Sequence, residues 1–299
     1  MSQKSTIARH IAIIKKLRRS PASFEEINHL LEEESAIKDI NLTVSERTFH
    51  RDRQDIRSIY NIDIAYDFSN RKYHIEDDDS SGLSDKVFEA FEIGTALNLS
   101  NNLSGFIHFE KRQPTGTENL YGILHAIKNH FRIKFLYQKY GGSGSSIREV
   151  EPYALKEFRN RWYVLSKDLK DNKVKAFGLD RLTALYISRV HFNYPQDFDV
   201  NEFYRHCFGV ISPYDSQKPE EIELSFSPFQ GEYIKSLPLH HTQQIIAENE
   251  KELRIKMKLY ITHDLKMEIL SFGEQVEVIK PKSFRKEVAS SLKQALNKY

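Results

Sequence analysis

Through the first sixty positions apolar residues recur every three or four residues, and from Ile62 the interval shortens to two. A helix buries a stripe of period 3.6 and a strand buries alternate residues, so the chain must open with helices and pass into sheet. Ile7, Ile11, Ile14 and Leu17 place an amphipathic helix over residues 5–19, with basic groups on its outer face and a stop at Ser20-Pro21. Ser23 with Glu26 three positions on fits a capping box for a second helix, whose inward residues are Ile27, Leu30 and Leu31. The stretch from Glu32 to Thr43 reads as a connection longer than the turn of about three or four residues usual between paired helices. Ser45 then caps a third helix that turns Phe49, Ile56 and Tyr60 inward. Ile62 to Tyr66 and Arg71 to Ile75 alternate around the turn Asp67-Phe68-Ser69-Asn70, which makes a hairpin.

At roughly 100 to 200 residues per unit, a chain of 299 residues divides into two or three compact parts. Aromatics at 12% and a net charge of only +2 exclude a disordered chain. No window approaches the roughly 20 apolar residues of a membrane span, and the opening Met1-Ser2-Gln3-Lys4 runs into Arg9 and His10 instead of a leader, so a cytoplasmic protein is expected. One cysteine, Cys207, excludes internal disulfides and thiolate zinc sites. The charge is unevenly laid out. Positions 1–20 carry Lys4, Arg9, Lys15, Lys16, Arg18 and Arg19 with no acid, and positions 121–190 carry fourteen Lys or Arg against six acids. Either region can hold a polyanion by releasing its counterions, and either is also readable as a solvated basic surface.

The third helix carries the sharpest signal. Arg47, His50, Arg51 and Gln54 stand at i, i+3, i+4 and i+7 and so share one face. Such a row suits a helix in a major groove, with Arg and Gln reaching base edges while Ser45, Thr48 and the helix N-terminus hold phosphates. Arg71 and Lys72, at the hairpin tip, can touch the backbone beside the groove. The alternative is an exposed face whose arginines pair with Glu46, Asp52 and Asp55.

These elements resemble the winged helix-turn-helix of bacterial WYL-domain transcriptional regulators, carried by Val44-Ser45-Glu46-Arg47-Thr48-Phe49-His50-Arg51-Asp52 and a hairpin ending in Tyr73-His74-Ile75. The resemblance implies that Ser45, Arg47, Thr48 and Arg51 contact DNA, with Arg71 and Lys72 added by the wing.

Further along, Asp77 to Gly82 is acidic and turn-rich, as a boundary should be. Val87, Phe88, Phe91, Ala96 and Leu97 form a helical stripe, and another helix is expected from about Glu118 to His130. Short strands follow: Ile133 to Tyr137, Ile147 to Val150, then Glu151 to Leu155 leading to Arg159 to Leu165, and a last one through Lys175 to Leu182. The run Gly141-Gly142-Ser143-Gly144-Ser145-Ser146 has neither the Lys of a phosphate loop nor the closing glycine of a nucleophile elbow, and reads as a hairpin turn. Short strands, tight turns and no helices argue for a small barrel. This block is similar to the WYL domain, an Sm-like barrel, on Tyr137, Pro152-Tyr153, Arg161-Trp162-Tyr163-Val164-Leu165 and Leu179-Asp180-Arg181-Leu182. The resemblance implies a pocket for a nucleotide or single-stranded nucleic acid. Tyr137, Tyr153 and Tyr163 are suited to stacking there, and Arg159, Arg161, Lys175 and Arg181 to phosphates, although Arg181 could equally pair with Asp180; Trp162 is placed in the core. Residues 219–299 run strand, helix, two strands, helix, strand, helix, which suggests a ferredoxin-like layer, and Val288, Leu292 and Leu296 form the inner stripe of its closing helix. Pro238-Leu239-His240 and Leu270-Ser271-Phe272-Gly273 resemble the WYL C-terminal extension.

The expected fold is therefore α+β and multidomain: a winged helix-turn-helix over 1–78, a helical connector over 79–120, an Sm/SH3-like β-barrel over 121–195, a linker over 196–218 and a ferredoxin-like α/β layer over 219–299. No His-Glu-x-x-His or catalytic carboxylate cluster is present, and adjacent side chains in His206-Cys207 and His240-His241 point apart on an extended chain, so no enzyme, metal or cofactor is expected. The expected protein is a homodimeric, ligand-responsive regulator, a repressor, whose two recognition helices read operator half-sites about 34–36 Å apart. The rival is a nucleic-acid-processing or RNA-binding accessory protein with the barrel as its main site.

Overall fold

The computed structural model describes residues 3–78, 88, 91–92, 115–141, 144–212 and 217–299. The chain divides into two compact units, residues 1–110 and 111–299.

The first unit begins with α1 (Gln3–Arg19), α2 (Phe24–Lys38) and α3 (Glu46–Tyr60), followed by the antiparallel pair β1 (Ile62–Asp67) and β2 (Lys72–Asp78). Ile11, Ile14, Ile27, Leu31, Phe49 and Ile56 are fully or almost fully buried in one core with Ile62 and Ile64 of the hairpin, as their spacing requires. The capping box at Ser23 forms in both directions: Glu26 N–H donates to the Ser23 hydroxyl and Ser23 N–H to the Glu26 carboxylate. The long connection expected from Glu32 is mostly helix. α2 continues to Lys38, which pairs with Glu34 one turn back, and stops where Asp39 turns left-handed at φ 50°. What remains before α3 is held by Leu42, wholly buried, whose N–H donates to Ser35 Oγ. Most of the helical stripe expected from Val87 to Leu97 lies outside the described residues; of it, Phe88 is buried in this core and Phe91 packs on it.

The second unit holds two antiparallel sheets. After a 3-10 turn at Thr117–Asn119 and α4 (Leu120–Lys128) come β3 (Phe131–Gln138), β4 (Ser145–Phe158), β5 (Arg161–Asp168), β6 (Lys173–Gly178) and β7 (Leu182–His191), in the ladder order β6-β5-β4-β3-β7. β4 is one long strand with an irregularity between Pro152 and Ala154. The last strand expected from the sequence breaks at Gly178, and a 3-10 turn, Leu179–Arg181, leads into β7. α4 lays Ile123 and Ala126 on Ile133, Phe135, Val150 and Val164. Trp162 packs partly buried against this core.

A short α5 (Val200–Tyr204) leads to β8 (Glu220–Phe226), α6 (Pro228–Ser236), β9 (Gln244–Glu248), β10 (Leu253–Leu259), α7 (His263–Ser271), β11 (Val276–Lys280) and α8 (Lys282–Leu296), with ladder order β11-β8-β10-β9. Alternate residues of β8 and β10, Ile222, Leu224, Phe226, Ile255, Met257 and Leu259, face Leu265, Ile269, Phe284 and Val288 of the helices. Of the inner stripe expected on α8 only Val288 is buried; Leu292 and Leu296 are exposed.

Candidate functional site

On α3 the polar residues separate by depth. Ser45 caps the helix, its hydroxyl accepting from Thr48 N–H at 3.4 Å, and Arg47, His50, Arg51 and Gln54 are all exposed while Thr48 is partly buried. The opposite face, Phe49, Asp52 and Ile56, is completely buried. Asp52 does not neutralise the exposed arginines, as one alternative had it. It receives two hydrogen bonds from Arg9, at 2.7 and 2.8 Å, and lies 3.3 Å from His10 Nε2. Arg9, expected on the outer face of α1, is likewise fully buried. Burial alone would raise the Asp52 carboxyl, but hydrogen bonds from His10 and Arg9, with the charge of Arg9, hold it below the usual carboxylate range. Arg53 fixes α3 to the hairpin, donating to the Ile64 carbonyl and lying 5.1 Å from the ring centre of Tyr73.

The hairpin tip is set by Asp67, whose Oδ1 accepts from Ser69 and Asn70 N–H. Arg71 there is exposed, with φ 53°. Lys72 is not free at the tip, because its ammonium turns back to Glu26 at 3.2 Å.

In the second unit, four of the seven residues expected to form one pocket meet. Arg181 lies 5.0 Å from the ring centre of Tyr137 and 4.9 Å from that of Tyr140. Asp180 accepts from Arg161 and from the Tyr140 hydroxyl, each at 3.2 Å, and stands 3.8 Å from Arg181. Tyr163 lies across from Gly178 on the β5–β6 ladder, and its hydroxyl is raised by burial against the lowering effect of Arg161. Tyr137 is buried, with its oxygen accepting from Gly178 N–H. Tyr140 and Asp180 complete this group; Asp180 stands beside Arg181 as one expected alternative had it, whereas Tyr140 was not foreseen, because it lies just beyond the end of β3, where strand alternation no longer signals a facing.

The other three go elsewhere. Tyr153 packs among Phe192, Tyr194 and Phe198, and burial pushes its hydroxyl up to about 12. Arg159 pairs with Glu268 on α7, and Lys175 with Asp168 and Asp171. None of the seven lines either of two cavities found in this unit, one of about 480 Å³ beside His125, Phe131 and His191 and one of about 510 Å³ beside Lys156 and His240.

The family model of the WYL domain matches residues 118–187, and that of the WCX domain matches residues 218–296. The chain contains a WYL domain followed by a WCX domain. Its WYL domain spans α4 to the middle of β7 and contains the whole arginine–tyrosine group, while its WCX domain spans β8 to α8. No curated protein matches the chain. Among solved structures it is similar to proteasome accessory factor B/C (PafBC) of Arthrobacter aurescens, at 18% identity and a TM-score of 0.33, covering 95% of this chain and 45% of that one. It is also similar to a CRISPR Cas-related protein, at 12% identity and a TM-score of 0.42, covering 99% and 85%. The chain thus spans less than half of the PafBC chain.

Between the WYL and WCX domains, the adjacent pair His206-Cys207 does not form a dyad. His206 Nδ1 donates to the Lys258 carbonyl at 2.9 Å. Cys207 is buried and its thiol is pushed up to about 11, which leaves almost no thiolate at neutral pH.

Proposed function

We propose that this WYL-domain protein is a ligand-responsive transcriptional regulator that acts by binding and not by catalysis. Its first unit serves as a winged helix-turn-helix that reads duplex operator DNA. The five-stranded sheet serves as an Sm-like barrel sensing a nucleotide or single-stranded nucleic acid, and the WCX domain as a ferredoxin-like layer that supports a homodimer in the cytoplasm. Repression is the expected sign of regulation. The observation that carries this reading is the composition of α3's outer face: Arg47, His50, Arg51 and Gln54 are exposed together while Asp52, one of three acids beside them in sequence, is withdrawn into the core and, among the described residues, neither Glu46 nor Asp55 forms an ion pair with the two arginines. The face is therefore cationic and donor-rich, as a base-reading helix requires. The group of Tyr137, Arg161, Tyr163 and Arg181 supports the sensing role, since Arg161 and Arg181 share the one carboxylate of Asp180 and retain donors for a phosphate.

The test uses duplex fragments selected from the host genome. Arg47→Ala with Arg51→Ala should abolish duplex binding in an anisotropy titration. Tyr163→Ala with Arg181→Ala should leave it intact and remove only the change caused by nucleotides or short oligonucleotides. Equal loss of duplex binding in the second variant would overturn the division of labour, and turnover of single-stranded DNA by the wild-type chain would favour the processing rival.

A further inference from the structure

The cavity of about 510 Å³ at the seam of the WYL and WCX domains lies within the volume range of small-molecule pockets. Lys156 from β4, Asn201, Tyr204 and Arg205 from around α5, and His240 from the loop after α6 contribute to its lining. The Lys156 ammonium rests 3.6 Å from the ring centre of Tyr204, and among the described residues no carboxylate lies within ion-pair distance of it. The acids nearby are already engaged. Asp264 Oδ2 accepts from Val210 and Ile211 N–H at 2.9 and 3.0 Å, and Glu202, itself part of the lining, gives both oxygens to Arg205.

His240 adds a donor of fixed sense. Thr242 N–H donates to its Nδ1 at 3.2 Å, so the neutral ring carries its proton on Nε2. Burial, followed by the charges of His241, His206 and Lys156, lowers His240 to about 4, so the ring stays neutral through the physiological range. Burial also lowers Lys156, opposed by Cys207 and Asp264, which is the state of an ammonium lacking a counter-ion. Tyr204, whose hydroxyl has no hydrogen-bond partner among the described residues, is itself buried. The walls thus offer an unpaired cation and neutral donors, with their acceptors already in use.

We propose that this cavity binds a small molecule through a carboxylate or phosphoryl oxyanion, held by the Lys156 ammonium and the Nε2–H of His240. The site is separate from the arginine–tyrosine group and does not depend on the chain binding DNA.

Isothermal titration of the full chain with inorganic sulfate and, separately, succinate tests it. Saturable binding of either probe is expected, weakened about tenfold or more in Lys156→Met, retained in Lys156→Arg and unchanged in Lys235→Met, a lysine of α6 that is paired with Glu232 and Glu248 outside the cavity. Tighter sulfate binding identifies a tetrahedral oxyanion, tighter succinate binding a carboxylate. Because His240 stays neutral, sulfate affinity of His241→Gln, which removes the other histidine of the lining, should be level between about pH 5.5 and 8, where a site relying on a charged His240 would weaken. That profile decides the matter if Lys156→Met fails to fold. Absence of saturable binding by both probes, equal affinity in a folded Lys156→Met, or a tenfold fall across that pH range would overturn the proposal.

Discussion

Arg51 and Asp52 are joined by one peptide bond, yet the first is exposed and the second completely buried. A helix turns by about 100° per residue, so neighbours in sequence can face opposite surroundings. Asp52 to Asn should therefore act on the fold and not directly on DNA contacts. It would remove the Asp52 charge from beside the buried Arg9, and a loss of about 3–5 kcal/mol is expected from urea unfolding. A loss under about 1 kcal/mol would mean that the pair contributes no more than an exposed one. The pH dependence has a definite sign. The folded carboxyl is depressed, so its contribution is complete above the unfolded value of about 3.9 and disappears as pH falls through the lower folded value. Acid unfolding of the asparagine variant should lack that part of the transition. Nothing local to Arg9 announces its burial, since it lies in a basic run on an amphipathic helix and its partner is 43 residues away.

Among the elements, α3 and the turn before β7 make the clearest predictions. Ser45→Ala removes the cap of α3 and should cost about 1 kcal/mol in thermal or urea unfolding. Ser45→Asp restores a capping oxygen but sets a carboxylate against DNA phosphates. It should keep stability within a few tenths of a kcal/mol while weakening duplex binding, and unchanged binding would remove Ser45 from the interface. Gly116 has φ 84°, and a Cβ there would stand 2.3 Å from the backbone carbonyl of Leu179 and 2.7 Å from Asp180 N. Gly116→Ala should cost about 2 kcal/mol or more and, by displacing the turn that carries Arg181, blunt the effector response. A normal melting temperature would show that the turn yields freely. The helices and the C-terminal strands were legible because their apolar residues repeat at the period of the element. β7 was not. It is an edge strand, exposed over most of its length, and its pairing with β3 is twice irregular, so no alternation marks it.

For the whole molecule, the proposed coupling between sensing and DNA binding is reciprocal. If an effector lowers duplex affinity by some factor, bound duplex must lower effector affinity by the same factor, and titrations in both orders should agree. Disagreement would mean that the effector competes for the DNA face itself. The salt dependence offers a second measure: each phosphate contact removed should reduce the slope of log affinity against log salt by about one.

From the sequence alone came the helical head, the capped third helix with its row of donors, the strand content of the body and the resemblance to WYL regulators. These rest on periodicity, caps and short motifs, which depend on residues within a few positions of one another. The tertiary structure decided which charges stay exposed, that Lys72 turns back to Glu26, and that Tyr153, Arg159 and Lys175 part from Arg181. It also brought Lys156 and His240 to one cavity across 84 positions of chain. Those outcomes depend on strand register and on packing between distant segments, where one irregularity such as that between Pro152 and Ala154 shifts what the residues after it face.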